Sequence, residues 1–382
     1  MSEQSIRVLL AAGGSAGHVN PALAIADKIT DVFPKSDILF AGTRGGLEAR
    51  LVARAGYNFS PIKAAGFQRR ITPTNIGRNA KAAYYFLTAV RESKKIINQF
   101  KPDVVVGTGG YVTAPVLRAA AKAGIKTVTH ESNSLPGIAT KMLSRTADKV
   151  FLSSEDTLKY FPDNAESTKK YVVTGNPLRK GFRKGEKGNT RAEALASLGL
   201  TGSMTILSFG GSLGANAITE AVIELLSWEK GRDINHIHAY GGNGKTVFEK
   251  LMSEKGIKTV KGKNIFAEYI HNMYTCITAA DLVICRSGSM TQTELKAFGR
   301  ASIQIPWAGA AENHQYYNAL TMKEAGATIL INDAEINGGK LIEVVSGLYN
   351  DKLRIRLMEE NASRMSAPNA AGIIVSEIIN LI

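Results

Sequence analysis

Three glycine-rich turns, each following a short apolar run, are the segments of this sequence best suited to bind an anion. They cover residues 13–17, 107–110 and 210–214. Glycines let backbone N–H groups approach an anion closely, and a helix that starts at the turn stabilises its negative charge. The first and last turns lack clear GxGxxG spacing with an acidic residue about 20 positions later, which argues against a dinucleotide site. The alternative is a tight turn that serves packing alone.

Two titratable side chains stand where they could act on a ligand at such turns. His18 directly follows the first turn, and an imidazole can accept a proton near neutral pH. Glu294 lies one turn into a serine- and threonine-rich helix start, and a carboxylate there can accept both hydroxyl hydrogens of a ribose. The alternatives are a histidine bonded to a backbone carbonyl and a glutamate that only complements a helix dipole.

The remaining histidines, acids and cysteines give weaker signals. Glu131 follows His130 at the end of another apolar run, where it could orient a hydroxyl or only anchor a loop. The other histidines do not cluster, and no metal-ligand spacing is visible. Cys276 and Cys285 cannot form a disulfide framework and suit buried apolar positions.

Short apolar runs alternate with segments of helical periodicity along the whole chain. The runs fall at 6–12, 37–41, 103–107, 127–130 and 149–152, and then at 204–209, 237–240, 282–285, 302–305 and 328–331. This alternation of strand and helix predicts parallel sheets. Asn20 and Pro21 suit the N-cap and first position of the first helix, unless that helix begins earlier, inside the glycine turn.

A polar, basic and glycine-rich stretch after residue 177 interrupts this alternation, and a second strand–turn–helix pattern begins at 204. We therefore expect an α/β protein of two Rossmann-like domains, 1–175 and 176–365, with parallel sheets facing an inter-domain cleft. The glycine turns would meet at that cleft. An apolar helix within 366–382 is expected to pack back on the first domain.

The chain is strongly basic, with 47 Lys and Arg against 33 Asp and Glu and a net charge of +14, so an anionic partner is expected. Basic residues between 67 and 99 alternate with apolar ones, which suits an anionic membrane surface better than nucleic acid, for which no binding motif appears. The alternative is an ordinary amphipathic helix whose apolar residues pack inward. The expected membrane face comprises Arg69, Arg70, Ile76, Lys81, Tyr85 and Phe86.

No apolar stretch reaches the roughly 20 residues of a spanning helix. The first residues fit a strand better than a signal peptide, because a polar start leads into a short apolar run without a small-residue cleavage site. We therefore expect a cytoplasmic protein that docks on a membrane face.

Eight segments carry a resemblance to a known family. They are GGSAGHVNPALAIA, GTGGYVTAP, HESNSLPG, GNPLR, FGGSLGA, AEYI, RSGSMTQTE and ENHQYYNAL. In this order, and across nearly the whole chain, they resemble the MurG family of peptidoglycan N-acetylglucosaminyltransferases. The resemblance implies a GT-B fold and an inverting transfer of N-acetylglucosamine from UDP-N-acetylglucosamine to the C4 hydroxyl of the muramyl sugar on undecaprenyl-pyrophosphoryl-muramyl pentapeptide. This reaction turns lipid I into lipid II at the cytoplasmic face of the cell membrane, beside other proteins of cell-wall synthesis or division.

The resemblance also implies roles for individual residues. His18 is the expected general base, with Tyr111 and Glu131 near the acceptor. The residues expected near the donor are Ser15, Ala16, Gly17, Asn133, Arg179, Ser212 at the phosphates, Ile270 at the uracil, Met290, Thr291, Glu294 on the ribose and Gln315 on the sugar. The chain departs from the family pattern at Leu213 and Ser132, where glutamine is usual, and at 15–17, which reads SAG instead of TGG.

Inversion requires the acceptor oxygen to attack C1 from the face opposite the leaving UDP, while a base removes its proton. No acidic DxD pair stands in the expected setting, so helix N-termini and backbone amides are expected to stabilise the leaving diphosphate without a metal or other cofactor. The alternatives are a diacylglycerol-type GT-B glycosyltransferase, a UDP-N-acetylglucosamine 2-epimerase and a non-catalytic nucleotide-sugar-binding protein.

Overall fold

A computed structural model describes residues 5–66, 72–162, 169–179, 190–211 and 213–382 of the chain. The chain forms two compact units. The first comprises Met1–Lys180 with Asn369–Ile382, and the second comprises Gly181–Pro368. The predicted domain limits at 175 and 365 lie a few residues before these boundaries. Each unit contains one parallel sheet, which confirms the predicted fold class.

The first unit is built on a seven-stranded parallel sheet in the order β3-β2-β1-β4-β5-β6-β7. Its strands are β1 (Arg7–Ala12), β2 (Asp37–Thr43), β3 (Asn58–Ile62), β4 (Val104–Gly109), β5 (Lys126–Glu131), β6 (Lys149–Leu152) and β7 (Tyr171–Val173). Its helices are α1 (Ala16–Val32), α2 (Leu47–Arg54), α3 (Pro73–Phe100), α4 (Thr113–Lys122), α5 (Ile138–Leu143) and, from the end of the chain, α14 (Ala370–Ile379), with a short 3₁₀ helix at Glu155–Tyr160.

The second unit has a six-stranded parallel sheet in the order β10-β9-β8-β11-β12-β13. Its strands are β8 (Met204–Phe209), β9 (Ile234–Ala239), β10 (Asn264–Ala267), β11 (Leu282–Cys285), β12 (Ala301–Gln304) and β13 (Thr328–Leu330). Its helices are α6 (Arg191–Leu198), α7 (Asn216–Glu229), α8 (Lys245–Glu254), α9 (Met273–Ala279), α10 (Ser289–Phe298), α11 (His314–Glu324), α12 (Gly338–Asn350) and α13 (Lys352–Arg364), with a 3₁₀ turn at Ala311–Asn313.

The central strands are apolar on both faces because each sheet lies between two hydrophobic cores. In β1, Val8 and Leu10 belong to one core and Leu9 to the other. In β8, Ile206 and Leu207 divide between two cores in the same way. This double burial explains why the central strands appear in the sequence as unbroken apolar runs.

Helix α14 returns to the first unit and packs on α1. Ile374, Val375 and Ile378 lie in the same core as α1 and β1, and Lys149 of β6 binds Glu377 at 2.5 Å. No helix among the described residues is both long enough and apolar enough to cross a bilayer.

The docking of α14 predicts different effects for two adjacent isoleucines. Ile378 is fully buried, whereas Ile379 is 37% exposed. We expect Ile378→Ala to lower the free energy of unfolding by about 2–5 kcal/mol through the cavity it leaves, and Ile379→Ala to change it by less than about 1 kcal/mol. Urea denaturation of both variants measures the difference. Equal losses would contradict the packing of α14 described here.

Candidate functional site

Each sheet has one point where the chain order reverses, and ligands of open α/β sheets bind at the strand carboxyl ends beside that point. In the first unit the point lies between β1 and β4. In the second it lies between β8 and β11. Two of the predicted glycine turns, 13–17 and 210–214, follow β1 and β8, and the serine-rich segment follows β11. The third, 107–110, forms the carboxyl end of β4 and the residue after it. Topology therefore brings each pair of candidate segments together within its own unit.

The two turns of the first unit make direct backbone contact. Gly13 N donates to Gly109 O at 3.2 Å, and a Cβ on Gly110 would lie 2.1 Å from Gly13 O. Gly109 and Gly110 also have φ of 115° and 88°, which favours glycine. The pairing of β1 with β4 shifts register here, since Ala11 faces Gly107 and Ala12 faces Gly109. Only glycine allows the two backbones to come this close, so these turns pack against each other in addition to presenting backbone at the surface.

The position of His18 is set by the start of α1. The helix begins at Ala16 with Ser15 as its N-cap residue, so the predicted start at Asn20 and Pro21 is wrong and the earlier start is correct. Pro21 is the sixth residue of this helix, where its ring removes the one backbone bond that an N–H at this position would donate to Gly17 O. His18 consequently lies in the first turn of α1, directly beside the glycine turn.

Hydrogen bonding fixes the tautomer of His18. Its Nδ1 lies 3.0 Å from Gly13 O and 3.3 Å from Ser15 Oγ. A carbonyl oxygen only accepts, so Nδ1 carries the hydrogen and the lone pair lies on Nε2. A Cβ on Gly109 would lie 2.5 Å from His18 Cδ2, so the ring rests against that glycine. His18 is thus oriented as a base through Nε2.

Tyr111 lies over the same turn. Its exposed ring would approach a Cβ on Gly14 to 3.8 Å and a Cβ on Gly66 to 2.2 Å. Ser15 is exposed, and Ala16 and Gly17 are partly exposed at the start of α1. The structure therefore brings Tyr111, residues 15–17 and His18 together at one edge of the first sheet.

Glu131 anchors a loop, the second of its two predicted alternatives. Its Oε1 accepts from the backbone and side-chain nitrogens of Asn133 at 3.0 and 3.1 Å. Its Oε2 accepts from Gly137 N at 3.0 Å and Thr140 Oγ1 at 2.6 Å. Four donors occupy this buried carboxylate, so it holds the loop that carries Asn133.

The segment 175–179 is tied to the end of β5. His130 Nε2 donates to Gly175 O at 3.2 Å, and burial lowers the pKa of His130 to about 4, which keeps it neutral. Arg179 instead pairs with Asp27 of α1 at 3.8 Å. Asp27 comes nine residues after His18, which is about 13 Å along the helix. The structure therefore does not bring Arg179 to the turn that carries His18.

In the second unit, hydrogen bonds join the start of α10 to the start of α11. The buried Ser287 donates through Oγ to Gln315 O at 2.8 Å, and Asn318 Nδ2 donates to Ser287 O at 3.2 Å. Trp307 N donates to Gln315 Oε1 at 3.0 Å. Gln315 is thus held beside the residues that follow β11. Ser212, expected at the phosphates, lies outside the described residues.

Glu294 is a partly buried carboxyl whose burial raises its pKa to about 8. Among the residues that the structure describes, none forms a hydrogen bond or ion pair with it. A carboxyl in this state can still accept donors from a ligand. Thr291 is partly exposed one turn earlier, whereas Met290 and Ile270 are buried. Any ligand contact by those two would therefore involve chiefly their main chains.

Two acidic residues that hold segments near the site were not predicted from the sequence. Glu48 of α2 is buried under the first turn, where Gly14 N donates to it at 3.4 Å. Asp333 accepts from Arg286 at 2.5 Å and from Ala308 N at 3.2 Å, which fixes the segment after β12. The sequence signal for Glu48 was its place after a further glycine pair, Gly45 and Gly46. Asp333 had no comparable signal.

Within the part of the chain that the structure describes, no group of three or more His, Cys, Asp or Glu side chains is arranged to hold a metal ion. Burial also raises the pKa of Cys276 to about 12 and raises that of Cys285 still further, so both thiols are protonated at neutral pH.

Comparison with known proteins gives matches along nearly the whole chain. Residues 8–152 match the glycosyltransferase family 28 N-terminal domain, and residues 205–373 match the C-terminal domain of that family. Curated proteins named UDP-N-acetylglucosamine--N-acetylmuramyl-(pentapeptide) pyrophosphoryl-undecaprenol N-acetylglucosamine transferase are similar to this chain. The protein from Desulforamulus reducens is 38% identical over 97% of each chain, and that from Desulforudis audaxviator is 39% identical over 98% of each.

Solved structures show the same similarity. The crystal structure of Acinetobacter baumannii MurG has a TM-score of 0.73 and 25% identity, covering 98% of this chain and 99% of the other. A Listeria monocytogenes structure described as a putative UDP-N-acetylglucosamine 2-epimerase has a TM-score of 0.70 and 16% identity, covering 99% and 96%. The second likeness is one of fold alone.

Proposed function

This chain belongs to the family of undecaprenol-pyrophosphoryl-muramyl-pentapeptide N-acetylglucosamine transferases within glycosyltransferase family 28, and on that premise we propose that it converts lipid I into lipid II. It transfers N-acetylglucosamine from UDP-N-acetylglucosamine to the C4 hydroxyl of the muramyl sugar, with inversion at C1. The observation that carries this proposal is the identity of 38–39% over nearly the full length of both chains. An epimerase activity has support from fold alone.

His18 is the proposed general base. The acceptor C4 oxygen attacks C1 of N-acetylglucosamine, the bond between C1 and the phosphate oxygen breaks, and UDP leaves with the electron pair. The hydroxyl proton passes to His18 Nε2, which bears the lone pair because Nδ1 donates to Gly13 O. Contact with Gly109 restricts rotation of the ring, so the base is oriented before the acceptor arrives.

The second unit is proposed to bind the donor. Glu294 accepts hydrogen bonds from the ribose hydroxyls, and the main chain at Ile270 meets the uracil. Gln315, held by Ser287 and Trp307, contacts the sugar. The start of α10 and the turn containing Ser212 bind the diphosphate. Helix N-termini and backbone amides stabilise the charge that develops on the leaving group, so no metal ion is required.

Helix α3 is proposed to dock on the anionic face of the membrane that holds the polyprenyl acceptor. Tyr84 and Leu87 are 64% and 65% exposed, and the exposed Arg91, Lys94 and Lys95 continue the same side of the helix. The neighbouring Tyr85 and Phe86, predicted to belong to this face, are half-buried. Arg69 and Arg70 lie outside the described residues, as do the side chains of Ile76 and Lys81.

The transfer reaction can be tested directly. Radiolabelled UDP-N-acetylglucosamine is offered to a lipid I analogue together with diacylglycerol, with EDTA present. We expect label in the lipid I analogue alone, and we expect His18→Ala to lower kcat by about 100-fold to 10,000-fold while nucleotide binding persists. Label in diacylglycerol would point to the other lipid transferases. Loss of transfer on adding EDTA would refute metal independence.

Glu294 should link nucleotide binding to pH. Its pKa of about 8 means that the free protein holds this carboxyl mostly protonated at neutral pH. Two ribose hydroxyls donate best to the ionised form, so binding should release a proton, and UDP affinity should rise by up to about tenfold per pH unit until about pH 8. Calorimetry in buffers of different ionisation enthalpy measures the release. Glu294→Gln should bind UDP more weakly, and its UDP affinity should not rise with pH in this way. If the pH dependence is unchanged in Glu294→Gln, another group is responsible for it.

Membrane docking can be tested by co-flotation with vesicles. We expect the wild-type protein to bind phosphatidylglycerol vesicles more tightly than phosphatidylcholine vesicles, and less tightly as salt rises, because each basic residue near the surface contributes about 1 kcal/mol. The pair Tyr84→Ser and Leu87→Ser should weaken binding several-fold. Leu353→Ser, at a residue of α13 that is 68% exposed, is the matched control. If Leu353→Ser weakens vesicle binding as much as the double substitution does, α3 is not the surface that docks on the membrane.

A further inference from the structure

The carboxylate of Glu48 is buried directly behind the turn that carries His18. The residue is only 1% exposed. Its Oε1 accepts from Thr43 N at 2.8 Å and from the Thr43 hydroxyl, and its Oε2 accepts from Gly14 N at 3.4 Å. All three partners are donors, which is the pattern of an ionised carboxylate, because that group only accepts.

Three glycines leave room for this carboxylate. A Cβ would lie 2.9 Å from Glu48 Oε1 if added to Gly13, 2.6 Å from Cγ if added to Gly42 and 2.6 Å from Oε2 if added to Gly46. Any larger residue at these positions would have to displace the side chain of Glu48. These three glycines, one near the end of β2 and two in the turns after β1 and β2, thus accommodate one buried negative charge.

One peptide unit connects this charge to His18. The N–H of Gly14 and the C=O of Gly13 belong to the same peptide bond. Gly14 N donates to Glu48, and Gly13 O accepts from His18 Nδ1 at 3.0 Å. A carboxylate that accepts from the N–H of a peptide polarises the whole unit and makes its carbonyl oxygen a stronger acceptor.

We propose that Glu48 is a positioning residue that supports His18 through the peptide bond between Gly13 and Gly14. The inference rests on the proposed role of His18 as general base. When His18 takes the acceptor proton it becomes an imidazolium in the first turn of α1, where the helix dipole disfavours positive charge. The Glu48 carboxylate offsets that penalty and holds Nδ1 as the donor, much as a triad aspartate does by direct contact.

The titratable side chains that border this relay in the described part of the chain come from three elements. They are Glu48 of α2, His18 of α1 and Tyr111 of the loop after β4, which lies over Gly14. Of these, Glu48 is the side chain whose carboxylate accepts from the peptide between Gly13 and Gly14. Glu48 is therefore the charged group whose removal should change the titration of His18.

The test compares Glu48→Gln with Thr43→Val, which removes another donor to the same carboxylate but keeps its charge and its bond to Gly14. The first readout is the ¹⁵N imidazole titration of His18 in the ligand-free protein, assigned by its loss in His18→Ala. Glu48→Gln should move the midpoint to lower pH, and Thr43→Val should leave it near the wild-type value. The same midpoint in wild type and folded Glu48→Gln would overturn the proposal.

Kinetics give a second readout. Glu48→Gln should lower kcat by about 10-fold to 100-fold, less than the roughly 10,000-fold loss for a carboxylate bonded directly to a catalytic histidine, because a peptide bond separates Glu48 from His18. The KM for UDP-N-acetylglucosamine should change little. The acidic limb of its kcat/KM profile should move to lower pH with the imidazole midpoint. A rise in KM without that movement would show a merely structural role. If His18→Ala retains full turnover, the proposed function of His18 fails, while the titration still decides whether Glu48 and His18 are coupled.

Discussion

The close backbone contact between Gly13 and Gly110 determines the geometry of the first unit's site. It forms because Gly110 has no side chain, and because parallel pairing brings the carboxyl ends of β1 and β4 side by side. Gly13 O then lies where His18 Nδ1 can donate to it, and Gly109 lies against the imidazole ring. The orientation of the proposed base therefore depends on backbone packing. A side chain at Gly110 would push Gly13 O away, and one at Gly109 would displace the imidazole ring.

The second unit uses the same type of contact for its own turn. A Cβ on Gly214 would lie 2.2 Å from Tyr240 O, and a Cβ on Gly241 would lie 2.1 Å from Gly214 N. The turn after β8 is thus packed against the turn after β9. Beside β11, side-chain hydrogen bonds fix the backbone instead, because Ser287 and Asn318 join the starts of α10 and α11. Glycine contacts and buried hydrogen bonds are two ways to fix backbone amides in place before an anionic ligand binds.

The sequence predicted central strands well and edge strands poorly, for a physical reason. β1, β4, β8 and β11 lie between two cores and appear as continuous apolar runs, whereas the missed strands β3, β7 and β10 are all edge strands with partly exposed residues. The site residues also fall into a predicted group and a missed group. The glycine turns and His18 were evident from local spacing, but the partners of Glu131 and the burial of Glu48 depend on contacts that no short motif records.

Three glutamates show that hydrogen-bond partners decide what a buried carboxyl can do. Glu131 is occupied by four donors from the segment between Asn133 and Thr140, and Glu48 by three from the end of β2 and the turn after β1. Both are therefore committed to holding backbone. Glu294 receives no such donors from the described residues, and its burial disfavours the charged form, which raises its pKa to about 8. In the proposed donor complex, two ribose hydroxyls would donate to the ionised Glu294 and so compensate for the free energy of its desolvation. A ligand without a diol would leave that cost uncompensated, so the buried carboxyl would favour a diol.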